Sequence, residues 1–302
     1  MSIVGAASAF VESTLAQVWK VRNPDGSFRG GPAYYIQMAL GKRWLGIVFA
    51  VALILCFAFG FNGLQAYNMA SAFDYYIPAE HQDVANVGIG IAAVVLTAVV
   101  IFGGTQRISF ITSWIVPVMA IGYILVAMWI SVSNLADVPR ALALVFEEAF
   151  SAQSFAGGFA GSAMMYGIKR GLFSNEAGMG SAPNAAATAD VSHPAKQGLV
   201  QSLSVYIDTL LICTSSAMMV LILYVQQPDA VAALVASPAY NGIDLVQMAM
   251  SNGVGEPGIH FLTIAIVLFA YSSLVGNYFY AEGNMLFIKD NKHLLLAFRI
   301  FC

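Results

Sequence analysis

The chain has 302 residues, of which 59% are apolar and only 10% charged, with a mean hydropathy of +0.75. A soluble domain carries about 25% charged residues, so this composition excludes an ordinary water-soluble protein and indicates an integral membrane protein; the helical spans below make it all-α. The formal net charge of −3 comes with no basic patch interleaved with aromatics, which leaves nucleic-acid binding unsupported.

A helix needs about 20 mostly apolar residues to cross a bilayer. By that rule spans are predicted at residues 1–19, 44–72, 84–102, 110–132, 143–168 (broken), 199–225 and 259–279, with an eighth beginning near Leu294. Residues 1–19 imitate a signal peptide through Ala-Ala-Ser-Ala, but they lack a basic start and contain Glu12. They read instead as the later part of a membrane helix. The last apolar run stops at Cys302 with Arg299 inside it, which reads as truncation.

Loop charges check the span count. Residues 20–43 hold Lys20, Arg22, Arg29, Lys42 and Arg43, whereas residues 73–83 hold Asp74, Glu80 and Asp83 without Lys or Arg. Basic and acidic connections go on alternating, through Lys169, Arg170 and Lys196, then the acidic stretch 226–258, then Lys289 and Lys292. The odd-numbered loops are therefore expected to be cytoplasmic. In the first, Asn23-Pro-Asp-Gly predicts a turn, and residues 33–40 predict an interfacial helix along the cytoplasmic surface. Residues 226–258 are expected to form an extracytoplasmic loop. Pro117 should kink the fourth span.

Residues 153–194 carry Gly157, Gly158, Gly161, Gly167, Gly171, Gly178 and Gly180. Each glycine in a helix interior costs roughly 1 kcal/mol against alanine. The cluster predicts either tight small-residue packing or a helix broken at membrane depth, which is where transporters place ions and solutes.

Polar groups inside spans are functional candidates. Phe61, Gln65 and Asn68 follow at i, i+4 and i+7, so they share one helix face. An aromatic ring beside carboxamides suits a small polar solute, or these groups bond between helices. Ser272 and Ser273 offer adjacent hydroxyl oxygens with Asn277 about one turn on; sodium prefers such oxygens, but serines in helices also bond back to their own backbone. Glu12 and Asp208 are lone carboxylates suited to a partner, a cation or a proton. Glu176, after Lys169 and Arg170, reads as a cap or salt-bridge partner near the cytoplasmic surface. Cys56, Cys213 and Cys302 sit in apolar runs as buried small hydrophobes. His81, His193, His260 and His293 are scattered, with no metal-ligand spacing. No catalytic constellation appears, so an enzyme is not expected. A channel is disfavoured by the absence of repeated charged rings.

Four stretches are similar to the alanine or glycine:cation symporters: residues 30–41 (GGPAYYIQMALG), 61–71 (FNGLQAYNMAS), 170–214 (beginning RGLFSNEAGMGSAPNAAATADVSHP) and 272–282 (SSLVGNYFYAE). They occur in the family's order, and the resemblance covers essentially all of the chain. It implies a secondary transporter of the bacterial cytoplasmic (inner) membrane. Such a carrier couples uptake of a small neutral amino acid such as alanine or glycine to sodium, with no organic cofactor. Proton coupling, a channel-like protein and a non-functional truncated copy are the alternatives. It also implies the inverted-repeat fold of the amino acid–polyamine–organocation superfamily, seen here as one transmembrane domain, 1–302, lacking the first core helix and the C-terminal helices. Matched by position, Phe61 and Gln65 become the substrate wall, and Gly157, Gly158 and Gly161 become the break of core helix six. Ser272 and Ser273 become sodium ligands. Asn277 joins the substrate site where the family often has an aromatic residue, which bears on substrate size. A second register puts the break nearer residues 173–178.

Overall fold

The computed structural model describes residues 2–24, 26–103, 105–150, 163–237 and 240–301. Helix dominates because a bilayer offers no partner to an unpaired backbone group, and a helix satisfies its own. Five helical segments are long and apolar enough to cross a membrane: Arg43–Tyr76, Gln82–Ile101, Ser113–Ser133, Pro194–Gln226 and Glu256–Ile288. These match five of the predicted spans. The first predicted span is the helix α1, Ser2–Val18. At 17 residues and 1.5 Å per residue, it falls a little short of the roughly 30 Å hydrocarbon core.

Small residues determine how α1 packs. Gly5, Ala6, Ala9, Ser13 and Ala16 form a buried stripe, set against α9 (Ser181–Thr188) and α10 (Pro194–Tyr206). A Cβ at Gly198 of α10 would lie 2.9 Å from both the ring and the carbonyl oxygen of Phe10. Only glycine permits that approach. Gly198→Val should therefore cost about 1–3 kcal/mol through overpacking, read as a lower Tm in detergent. Gly88→Ala, at a position with open space around it, should leave the Tm unchanged or higher.

After α1 the chain forms a hairpin that the sequence did not suggest, β1 (Val21–Arg22) against β2 (Phe28–Arg29). Strands of two residues are too short to show alternation. The Asn23 turn does form, with Gly26 N–H donating to the Asn23 carbonyl at 3.0 Å. The helix α2 (Pro32–Leu40) follows, with Pro32 at its first turn and Gly41, at φ 67, stopping it. Its start is buried and its end exposed, in keeping with the predicted short helix here.

The second span is one helical rod in three parts. These are α3 (Arg43–Ile54), a π-helical segment (Leu55–Phe61) and α4 (Asn62–Ser71). Then come α5 (Gln82–Ile101), α6 (Thr105–Ser133), α7 (Val138–Phe150) and α8 (Ala163–Asn175). The helix α6 continues through Pro117. A second π-helical segment, Ile207–Cys213, joins α10 to α11 (Thr214–Gln226).

Residues 226–258, expected as a loop, contain two helices, α12 (Pro228–Val235) and α13 (Gly242–Val254). A capping box starts α13. Asn241 Oδ1 accepts from Ile243 N–H at 3.3 Å, and Asp244 Oδ2 accepts from Asn241 N–H at 3.0 Å. The helix α14 (Glu256–Ile288) extends well past the predicted 259–279, and α15 (Lys292–Phe301) follows. Glu282 and Asn284, which hydropathy reads as the end of a span, stay helical because they are buried and partnered. The helix α14 is the axis of the fold, touching α3, α4, α5, α6, α9 and α13. One apolar core (Tyr123, Ile130, Met219, Met250, Leu262) joins α6, α11, α13 and α14.

Candidate functional site

Helix α8 ends at Asn175 and α9 begins at Ser181, and the chain between them is not helical. Glu176, Gly178 and Gly180 take positive φ values of 51, 82 and 95. For glutamate that conformation costs roughly 1–2 kcal/mol, and such strain gathers at functional sites. Each exposed backbone group needs a partner. Ala177 N–H donates to Asn175 Oδ1 at 3.1 Å, and Gly178 N–H donates to Glu12 Oε1 of α1 at 3.0 Å. The Gly180 carbonyl accepts from Asn184 Nδ2 at 2.5 Å; Asn184 Oδ1 in turn accepts from Asn284 Nδ2 at 3.1 Å.

Both π-helical segments face the last turn of α8. From the first, Phe57 stacks on Phe61 (4.7 Å, 13°), and Phe61 stacks on Phe173 of α8 (5.0 Å, 14°). Tyr280 of α14 meets Phe57 edge-on at 5.8 Å. From the second, Asp208 Oδ2 accepts from Ser174 Oγ at 2.6 Å, and Thr209 Oγ1 accepts from Asn175 Nδ2 at 3.4 Å. A π-helical turn holds one extra residue and recurs at functional sites. Two of them flanking a helix break make an adaptable wall on each side.

The site is electronegative. Glu12, Glu176 and Asp208 converge on the break, and among the described residues none forms a salt bridge. Burial, with the Glu12 charge beside it, pushes the Tyr35 hydroxyl of α2 up to about 12, so it stays a hydrogen-bond donor. No trio of His, Cys, Asp or Glu suited to a metal ion occurs among the described residues. The arrangement offers hydroxyl, carboxylate and carbonyl oxygens to a hard monovalent cation, and the N-terminus of α9 to an anionic group.

The sequence-predicted residues fall around this site unevenly. Phe61 lies in the ring stack, and Gln65 is half-buried one turn further along α4. Asn277 is 3% exposed and donates to Asn62 Oδ1 at 3.0 Å, which ties α14 to α4. Ser272 donates to the Phe269 carbonyl at 2.8 Å, the back-bonded arrangement, while Ser273 is half-buried beside it. Gly157, Gly158 and Gly161 lie outside the described residues. The described break falls at the second register, next to Phe173 and Gly178. Glu176, expected as a cap or salt-bridge partner, instead occupies the strained first position of the break and bonds to Ser181. Sequence reasoning missed Phe173, Ser174, Asn175 and the Asn184–Asn284 pair. Asn175-Glu-Ala-Gly-Met-Gly, with an Asx-forming residue before two close glycines, was the available signal.

A model of the sodium:alanine symporter family matches residues 1–302. The chain is 47% identical over 300 residues to the amino-acid carrier protein AlsT of Bacillus subtilis, covering 99% of this chain and 61% of that protein. It is 44% identical to the probable sodium/glutamine symporter GlnT of the same species (99% and 60%). It is 35% identical to a sodium/proton-dependent alanine carrier protein of Bacillus sp. strain PS3 (99% and 66%). The chain thus spans about three fifths of the length of the curated relatives it matches.

Proposed function

The chain belongs to the sodium:alanine symporter family, and on that premise we propose that it forms part of a secondary transporter, one that couples uptake of a small neutral amino acid to sodium entry. The observation that carries this reading is the helix break at 176–180, walled by two π-helical segments and by three carboxylates that form no salt bridge among the described residues. Oriented dipoles at such a break suit both a cation and a carboxylate. The carrier works by alternating access, with the inverted-repeat architecture of its superfamily, in the bacterial inner membrane. Phe61, Gln65 and Asn277 line the substrate side, and Ser272 and Ser273 contribute sodium ligands. Alanine or glycine is the cargo. Coupling is reciprocal: each ligand favours the occluded state only when the other is bound.

The carboxylates Glu12, buried, and Asp208, half-buried, favour a second reading in which protons drive transport. A relative described as sodium/proton-dependent supports it.

Radiolabelled alanine, glycine and glutamine uptake into proteoliposomes tests both, with sodium and proton gradients imposed separately. The chain should be run beside a version extended at both ends. Sodium-driven alanine or glycine uptake that Ser273→Ala weakens at least about tenfold, as expected for loss of a ligand to a charge, is the predicted result. No uptake by any folded version removes the symporter reading. Uptake driven by a proton gradient alone favours the second.

A further inference from the structure

Between the hairpin, α9 and the later half of α14 lies a cavity of about 470 Å³, lined among others by Asn23, Ser27, Arg29, Asn184, Phe279 and Glu282. Small-ligand sites range over about 300–1,000 Å³. The cavity opens at the end of the molecule that carries Lys20, Arg22, Lys289 and Lys292, the cytoplasmic end by the distribution of basic residues. It adjoins the helix break through Asn184, which lines its wall and also holds the Gly180 carbonyl.

Its chemistry is two-signed. Arg29 presents a guanidinium whose Nη1 is engaged by Asp290 at 3.0 Å, while its Nε is buried without a partner among the described residues. That leaves one edge of the guanidinium fork unfilled, the edge a carboxylate takes. Glu282 brings a carboxylate, already held by Arg299 Nη2 at 2.6 Å. Behind the wall Asn284, 1% exposed, donates to Asn184 and so steadies that cavity residue.

The geometry points to a second amino-acid site here, occupied by the cargo between the break and the cytoplasm. Arg29 receives its carboxylate, and Glu282 receives its ammonium group. The inference rests on the symporter reading above. Each charge in the cavity is already half-compensated, by Asp290 and by Arg299, so a zwitterion is held loosely. A station for release requires that.

The test uses the complete carrier in right-side-out and inside-out vesicles, with radiolabelled L-alanine entering from either face. Losing a hydrogen bond to a charged group weakens binding about tenfold or more. Arg29→Gln should therefore raise the KM from the cytoplasmic face about tenfold while leaving the KM from the outer face and the final accumulation ratio unchanged. Asp290→Asn breaks the same exposed ion pair and keeps the guanidinium. It should leave all three unchanged, which separates binding from a structural contribution that such surface pairs hardly make. Arg29→Lys should fall between. A cytoplasmic KM within about twofold of wild type in Arg29→Gln, against that tenfold expectation, overturns the site, as does an equal rise in Asp290→Asn. If the wild-type carrier moves no amino acid, the symporter reading itself fails and takes the site with it.

Discussion

Gly180→Val should abolish transport, leaving uptake at most about 1% of wild type per molecule in the membrane. Gly180 sits at φ 95, where a side chain is strained, and a Cβ there would lie 2.6 Å from the Phe49 ring and 3.2 Å from Pro32. The left-handed conformation costs about 1–2 kcal/mol for a residue with a Cβ, and overpacking adds about 1–3. Their sum is comparable to the roughly 2.7 kcal/mol that a hundredfold loss represents. The strain falls on the last residue before α9, so relief would have to come from moving the break itself. Uptake assayed against immunoblotted protein in vesicles checks this, with Gly276→Ala as the control, since nothing surrounds that glycine within 4 Å. Wild-type uptake by Gly180→Val would show that the break does not bear on transport.

The second large effect concerns Glu12, and here the choice of substitute carries the information. Glu12 is 8% exposed and accepts the Gly178 N–H at 3.0 Å, pinning the break to α1. Glu12→Ala leaves that N–H orphaned, at a cost of about 1–3 kcal/mol, and should lower uptake tenfold to a hundredfold, roughly in proportion. Glu12→Gln retains a carbonyl oxygen in the same place. If Glu12 acts by holding the break, glutamine should keep most of the activity. If it carries the coupling proton, glutamine should fail as badly as alanine and the dependence of uptake on a pH gradient should vanish. Uptake of both variants at two imposed pH gradients decides between them.

Hydropathy located the long helices because the bilayer fixes their length and composition. It worked poorly wherever burial inside the protein, rather than lipid, decides the outcome. Lys169 and Arg170 placed Glu176 near the cytoplasmic surface, as a cap or salt-bridge partner. Both are exposed on α8, yet the helix runs on past them to Asn175. The positions of Gly157, Gly158 and Gly161 lie outside the described residues. Glu282 and Asn284 misled in the same way, since partners far along the chain keep them helical. Phe61 and Gln65 were legible from their shared face. The partners of Phe61 were not: Phe173 is more than a hundred residues away, and no local pattern records that the two rings stack. The Asn184–Asn284 pair is equally silent in sequence. The α13 capping box was fully local and readable, but it lay in a stretch already assigned as loop from its charge.

The π-helical segment Leu55–Phe61 separates two properties of the second span that ordinarily travel together. Deleting one residue from the α-helical stretch before it, Arg43–Ile54, would shorten the rod by only about 1.5 Å, whereas deleting one from the π-helical segment removes the extra residue that its wider turn absorbs. The first deletion would rotate everything from Asn62 to Ser71 by about 100° about the axis, swinging Gln65 away from its present facing, and the second would largely keep that facing. Insertion into the membrane would scarcely register a loss that the interior could not absorb. In-frame deletions of a single codon along this rod therefore sort its residues by two separate criteria, those that give it length and those that give it phase.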